Sequence, residues 1–238
     1  MDKIRLLEDC LEKLNISISE DQKSKFNCYC SILLEKNKVM NLTRITDERE
    51  IIIKHFVDSL MICKAIDMNN VEKLIDVGTG AGFPGIPIKI MWPNIKVTLL
   101  DSLEKRVEFL KEVTEELGIE NVEAIHGRAE DFGQDDNYRE QYDLCVSRAV
   151  SNLSTLSEYC IPFVKEQGLF ISYKAEGSDE EIKESENAIE TLGGNIERIV
   201  KEKLPGEDIN RKFVVIRKTK HTDSKYPRKA GKPSKKPL

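Results

Sequence analysis

Apolar positions repeat along this chain with two different periods, and the change falls near residue 70. Before it, Leu7, Leu11 and Leu14 recur at helical spacing, Ser19 and Gln22 have the spacing of a capping box, and Phe26, Cys30 and Leu33 form a second stripe. A turn-like Asn41-Leu42-Thr43 precedes a third predicted helix at 47–66. No strand signal intervenes, so residues 1–70 read as an N-terminal helical extension. From residue 72 short apolar segments at 73–77, 96–100, 122–126, 142–147, 168–173, 196–201 and 212–217 alternate with amphipathic stretches. One such stretch carries Leu103, Val107, Leu110, Val113 and Leu117 and stops at Gly118. This alternation predicts an α/β domain over 71–220, a seven-stranded, mainly parallel sheet with right-handed crossovers and helices on both faces. The last two strands are separated only by residues 204–208 (LPGED), too few for a crossover helix. They are therefore predicted to pair antiparallel.

Composition narrows the class. Of 238 residues 33% are charged and 39% hydrophobic, and no run of 18 apolar residues occurs, so a soluble protein with no membrane role is expected. The opening MDKIRLLEDC lacks the apolar run of a secretory signal, which makes the expected location cytoplasmic. Six cysteines at 10, 28, 30, 63, 145 and 160 form no C-x-x-C pair and lie in periodic apolar segments; they are expected to be reduced core thiols, with no metal site. Charge is distributed unevenly. The last 22 residues hold nine Lys or Arg and one acid, on a chain whose net charge is −5. A basic tail (221–238) on an acidic body suits an anionic partner, or is simply a solvated tail.

The candidate chemistry centres on residues 74–87, LIDVGTGAGFPGIP, read as strand, turn and helix. Glycines at 78, 80, 82 and 85 allow a sharp turn with close ligand approach, and such a turn exposes backbone N–H groups. The prolines at 84 and 87 suit the first turn of the following helix. The turn parses as G-x-G-x-G from Gly78 to Gly82, or as G-x-G-x-x-G from Gly80 to Gly85, the second matching a dinucleotide fingerprint. Three acidic positions tilt the reading. Asp76, two residues before Gly78, is placed to receive an ammonium and would repel a pyrophosphate. Asp101 ends the second strand, where it can accept from both hydroxyls of a ribose. After the third strand, Ala129 and Glu130 can flank an adenine. Acids at strand ends are often only helix caps, as Asp131 could be, but three at successive strand ends favour S-adenosyl-L-methionine. A nicotinamide or flavin dinucleotide is the alternative.

The acceptor is indicated mainly by what is absent. The fourth strand ends in Val146-Ser147-Arg148-Ala149, neither the Asn/Asp-Pro-Pro-Tyr/Phe loop used on exocyclic amines nor a Pro-Cys nucleophile. Methylation of a ring nitrogen with an in-plane lone pair, such as N7 of guanine, needs neither and rests on positioning. Arg148 then closes over the cofactor or meets the guanine O6 edge; the plain alternative is a helix-start salt bridge. His55, within Lys54 to Leu60, is more simply a surface or capped core residue. In the tail, basic residues spaced by Pro and Gly are expected to track a phosphate backbone rather than bury a core, with Arg228, Lys229, Lys232, Lys235 and Lys236 as RNA contacts and Tyr226 and Arg228 as stacking surfaces.

Together, DVGTGAGFPGIP at 76–87, LLDSLxKRVxFL at 99–110, SRA at 147–149, YPRKAGxPxKxPL at 226–238 and HxxDSL at 55–60 resemble the ribosomal small subunit methyltransferase G family, also called glucose-inhibited division protein B. The resemblance covers nearly the whole chain. It implies a class I S-adenosylmethionine-dependent methyltransferase (Rossmann-like) fold and N7 methylation of one guanine in a conserved loop of 16S rRNA, as naked RNA or in the small ribosomal subunit. It also implies cofactor contacts at Gly78, Phe83, Ala129, Glu130 and Arg148, to which the residue-level reading adds Asp76, Gly80 and Asp101. A monomer is expected. The competing readings are an NAD(P)-dependent oxidoreductase and a non-catalytic RNA-binding protein on the same fold. Neither source gives a role to His55 or Asp58.

Overall fold

A computed structural model describes residues 3–148 and 151–238 of the chain. All seven predicted strands are present: β1 (Lys73–Val77), β2 (Lys96–Asp101), β3 (Val122–His126), β4 (Tyr142–Ser147), β5 (Val164–Ala175), β6 (Gly194–Lys203) and β7 (Asn210–Lys218). They form one sheet in the order β3-β2-β1-β4-β5-β7-β6. β1 to β5 run parallel to one another, and β7 runs antiparallel to both β5 and β6. The order reverses between β1 and β4, which opens a crevice at the carboxyl ends of these strands.

The side-chain alternation of the strands divides the core in two. Leu74, Leu99, Leu144, Val146, Ile171 and Val215 face one layer, which includes Ile86 and Ile88 of α5 (Gly85–Met91) and Phe109 and Leu110 of α6 (Glu104–Glu116). Ile75, Val77, Cys145, Phe170, Val214 and Ile216 face the other, with Leu153 and Leu156 of α8 (Leu153–Cys160) and Ile189 of α10 (Glu186–Thr191). The short α7 (Ala129–Phe132) and α9 (Asp179–Glu184) also pack on this second layer, through Ala129, Phe132 and Ile182. This is the doubly wound arrangement that the sequence alternation predicts.

The N-terminal helices continue the first layer. α1 (Lys3–Leu14) buries Leu7, Cys10, Leu11 and Leu14, and α2 (Glu20–Met40) buries Phe26, Tyr29, Cys30 and Leu33. The predicted capping box forms: Ser19 N–H donates to Gln22 Oε1 at 2.9 Å, and Gln22 N–H to Ser19 Oγ at 3.3 Å. Gln22 also docks the helix, its amide nitrogen donating to Ile90 O and Met91 O of α5. The single helix predicted at 47–66 is instead a relay: α3 (Glu48–Ile51), a π-helical turn (Ile52–Val57), α4 (Asp58–Leu60) and a 3₁₀ turn (Met61–Lys64). Side chains compete here for helix carbonyls. Arg148 donates to Lys54 O and Ser59 Oγ to His55 O, and π turns of this kind are often found at functional sites.

The tail departs most from its expectation. It is packed on the domain, with Tyr226, Pro227 and Pro233 buried and α11 (Lys232–Lys235) near its end. Upstream polar side chains hold its backbone. Arg139 donates to Gly133 O, Tyr226 O and Thr222 O, and Gln134 to Ser224 O and Pro227 O. Arg228 forks onto Glu158, which has no exposed surface, with contacts of 2.5 to 3.1 Å. Paired carboxylates and amides replace the apolar area that the tail lacks, and its prolines supply the buried surface.

Candidate functional site

β1 and β2 bring Asp76 and Asp101 to neighbouring carboxyl ends, flanking the turn that leaves β1. Asp76 is wholly buried. Its Oδ2 accepts from Thr79 Oγ1 at 2.7 Å and from Gly85 N–H at 2.8 Å, while its Oδ1 has no hydrogen-bond partner among the described residues. Burial pushes the carboxyl up to about 7, against the pull of those two bonds and of the Arg148 charge. A buried carboxylate oxygen without a partner costs free energy, which a cation or donor brought by a ligand would relieve.

The two parses of the glycine turn separate on geometry. Gly78, Gly80 and Gly82 have φ of +72°, +63° and +98°, so the G-x-G-x-G set is needed for backbone conformation. Gly85 is needed for room: a Cβ there would lie 2.3 Å from Leu99 Cδ2 and 2.9 Å from Asp76 Oδ2. The expected row of exposed amides is largely committed inside the protein. Gly78 and Thr79 donate to Leu100 O, Gly80 to Asp101 Oδ2 at 2.8 Å, Gly82 and Phe83 to Thr79 O, and Gly85 to Asp76. A pyrophosphate cradle needs such amides free. What the site offers instead is carboxylate oxygens, acceptors that fit a ligand with a cationic group and hydroxyls. Asp101 also accepts from Leu103 N–H at 3.0 Å and Arg106 Nη1 at 3.4 Å, contacts that hold its carboxylate in place at the strand end.

Arg148, directly after β4, is the hub of a network reaching into the N-terminal helices. Its Nη1 donates to Asp58 Oδ2 at 2.9 Å and Lys54 O at 3.0 Å, and its Nη2 to His55 Nδ1 at 3.1 Å. Because a guanidinium only donates, His55 Nδ1 must accept. Burial, and then the Arg148 charge, lower the His55 pKa to about 3. The ring is therefore neutral, protonated on Nε2, and donates to Thr43 Oγ1 at 2.8 Å. Asp58 Oδ1 accepts from Arg211 Nε at 2.6 Å, so one buried carboxylate fixes two arginines. The His55 ring stacks on Phe83 at 4.4 Å, and the Arg148 guanidinium lies 5.1 Å from the same ring centre. Phe83 itself is 5% exposed and also stacks on Tyr29, whose hydroxyl donates to Ala81 O. The salt-bridge alternative for Arg148 is thus realised, with a partner ninety residues upstream that caps no helix start. Ala149 lies outside the described residues.

On the far side of the crevice, Ala129 and Glu130 begin α7. Glu130 Oε1 accepts from Gly231 N–H at 2.8 Å, and Thr155 Oγ1 of α8 donates to Pro233 O at 3.3 Å, so the tail closes against elements that follow β3 and β4. Lys229, Lys232, Lys235 and Lys236 are exposed. Arg228 and Tyr226, grouped with the RNA contacts and stacking surfaces from sequence, face inward instead: Arg228 is taken by Glu158, and Tyr226 is 8% exposed. Asp76, Gly78, Gly80, Phe83, Asp101 and Arg148 are gathered around one turn, with Ala129 and Glu130 following the third strand. Sequence reading left Asp58, His55, Arg211, Glu158 and Arg139 without a role. Only the HxxDSL run carried any local signal. Among the described residues no helix is long and apolar enough to cross a membrane, and no group of three or more His, Cys, Asp or Glu is arranged to hold a metal ion.

The chain is similar to known proteins in fold and in sequence. Solved structures of the same fold include the mitomycin 7-O-methyltransferase MmcR (TM-score 0.58, 14% identity, 80% of this chain and 60% of that one) and Pyrococcus horikoshii TYW2 in complex with MeSAdo (TM-score 0.53, 14% identity, 68% and 62%). Similarity in sequence is much closer elsewhere. Ribosomal RNA small subunit methyltransferase G of Alkaliphilus metalliredigens is 51% identical over 238 residues, the full length of both chains. The protein of that name from Acetivibrio thermocellus is 52% identical over 234 residues, 98% of this chain and 96% of that one. A family model described as rRNA small subunit methyltransferase G matches residues 22–211. The fold is that of class I methyltransferases, and the chain belongs to the rRNA small subunit methyltransferase G family.

Proposed function

We propose that the protein transfers the methyl group of S-adenosyl-L-methionine to N7 of one guanine in 16S rRNA. The observation that carries the cofactor assignment is the buried Oδ1 of Asp76, without a partner among the described residues, beside a glycine turn whose amides are largely used. That arrangement suits an ammonium group and disfavours a pyrophosphate, which argues against the oxidoreductase alternative. The names of the relatives support rRNA of the small subunit as substrate.

In this reading Asp76 holds the ammonium, Asp101 accepts from the ribose hydroxyls, and Ala129 and Glu130 flank the adenine. When bound, the cofactor supplies an electrophilic methyl group on a sulfonium sulfur. Guanine N7 needs no deprotonation before attack, so the residues here act by binding, alignment and exclusion of water. Arg148 is fixed at four points by Asp58, Lys54 O, His55 and the Phe83 ring, and it serves as a preorganised cation at the boundary between cofactor and acceptor. The exposed lysines at 229, 232, 235 and 236 contact phosphates and add salt-dependent affinity.

The test is incubation of the protein and tritiated S-adenosyl-L-methionine with 16S rRNA and with small subunits from a strain lacking this methylation. N7-methylguanosine recovered at one position is the expected product. Its absence from both substrates, with the cofactor still bound, would leave a non-catalytic RNA-binding protein.

A further inference from the structure

At the pole of the sheet opposite the glycine turn, the amino ends of β1 to β4 surround a groove of about 390 Å³. Lys73 and Lys96 begin β1 and β2 there, Asn121 and Val122 lead into β3, and the segment from Asn137 to Tyr142 borders the groove before β4. A strand rises about 3.3 Å per residue, so Lys73 stands roughly 15 Å from Gly78. Ligands of doubly wound sheets bind at the carboxyl ends, where the cofactor turn and Arg148 lie. The groove at the amino ends is a separate feature.

Its lining is short of partners for its donors. Lys73 and Lys96 are register partners on adjacent parallel strands, whose backbones run about 4.8 Å apart, and neither ammonium has an ion pair or hydrogen bond among the described residues. Two like charges held this close repel, and an anion between them turns the repulsion into attraction. Behind them, Tyr142 and Thr98 are 6% and 7% exposed and share one hydrogen bond, Tyr142 Oη donating to Thr98 Oγ1 at 3.1 Å. Burial pushes the Tyr142 hydroxyl up to about 12, so it keeps its proton, and the Thr98 proton has no acceptor among the described residues. A buried donor left over is costly unless a ligand oxygen takes it. The Asn121 carboxamide makes no side-chain hydrogen bond among the described residues either. The one carboxylate of the lining, Glu123, accepts from Tyr138 Oη at 3.2 Å and leaves the lysines in excess.

We propose that this groove binds a phosphate ester, with the phosphate charge between Lys73 and Lys96 and its oxygens accepting from Thr98 and Asn121. Donors converging from β1, β2 and the start of β3 suit a tetrahedral oxyanion, and lysine binds phosphate as a compact point charge. The volume lies within the range of about 300–1,000 Å³ typical of small-molecule sites. Two sources offer this chemistry: the backbone of an RNA strand that reaches round the domain, or a small phosphorylated molecule. The assignment stands on these residues and does not depend on the methyl-transfer reading.

The test compares the full-length protein with a double variant, Lys73→Gln with Lys96→Gln, in two titrations. Both lysines are exposed and lie outside the cofactor turn and the Arg148 network, so melting temperature and calorimetric affinity for S-adenosyl-L-methionine should be unchanged. In the first titration inorganic phosphate is added at constant ionic strength and followed by phosphorus NMR. The double variant should bind it roughly tenfold or more weakly than the native protein. In the second, affinity for 16S rRNA is measured against salt, and an RNA phosphate in the groove should make the slope of log affinity against log salt shallower by roughly 0.7 in the variant. A shallower slope, with or without loss of inorganic phosphate binding, assigns the groove to RNA. Loss of phosphate binding with an unchanged slope assigns it to a small phosphorylated molecule. Equal phosphate binding and equal slopes in the two proteins would overturn the proposal.

Discussion

Asp76 and Glu158 are both fully buried carboxylates, and each anchors a loop rich in Gly and Pro. They differ in what completes them. Glu158 is closed by the chain itself, accepting from the backbone N–H, Nε and Nη2 of Arg228. Asp76 accepts only neutral donors, leaves one oxygen without a partner among the described residues, and is held up near 7. A buried acid with its own arginine is finished structure. A buried acid without a charged partner leaves room for a ligand's cation.

The largest expected effect breaks the finished half of this pair. Arg228→Ala leaves the Glu158 charge buried and unpaired, which should cost about 3–5 kcal/mol in denaturant unfolding. A loss below about 1 kcal/mol would mean that the tail does not depend on that pair. On the other half, Gly85→Ala forces a Cβ against Leu99 and Asp76, and overpacking of this kind costs about 1–3 kcal/mol. Cofactor binding, measured by calorimetry, should be lost with it, whereas an equally small change at exposed Ala230 should leave it intact.

Asp58→Asn tests whether the hub acts through position. It removes the charge that holds Arg148 and Arg211, and misplacement of a positioned group by about 1 Å can cost on the order of a hundredfold in rate. kcat should fall while affinity for S-adenosyl-L-methionine stays within about twofold, a split that general loosening of the fold would not produce. The smallest effect on the fold is expected in the tail lysines. Changing Lys229, Lys232, Lys235 and Lys236 to Gln should alter stability by no more than about 0.5 kcal/mol, yet reduce the slope of log affinity for RNA against log salt by roughly 0.7 for each phosphate that is no longer neutralised.

These contrasts also mark what the sequence made legible. The strands were readable because each is a short apolar run between turn residues, and the Ser19–Gln22 box because its partners are three residues apart. The glycine turn was readable as a site, but its parse was not, since φ at Gly78 and steric room at Gly85 are properties of the folded chain. The tail reads as solvated because its partners are remote: Glu158 lies 70 residues from Arg228, and Glu130 lies 101 from Gly231. The roles of His55 and Asp58 were hidden for the same reason, with Arg148 ninety or more residues away, and the π turn that presents them has no apolar period of its own.

The difference between the two acids rests on the ionisation of Asp76. With its folded pKa raised to about 7 and an unfolded value near 4, the stability it contributes is fully present below about pH 4 and is lost as pH rises toward 7, by about 1.4 kcal/mol per unit. A cationic ligand needs the ionised form, so its binding must follow the opposite trend. The most direct measurement is calorimetric titration of S-adenosyl-L-methionine into the native protein and into Asp76→Asn from pH 5.5 to 7.5, where an α-amino group of ordinary pKa remains largely protonated. Native affinity should rise up to about tenfold per unit and level off near pH 7, with little or no binding to Asp76→Asn at any pH. Equal native affinity across that range, or undiminished binding by Asp76→Asn, would contradict the assignment of Asp76 as the cofactor's counter-ion.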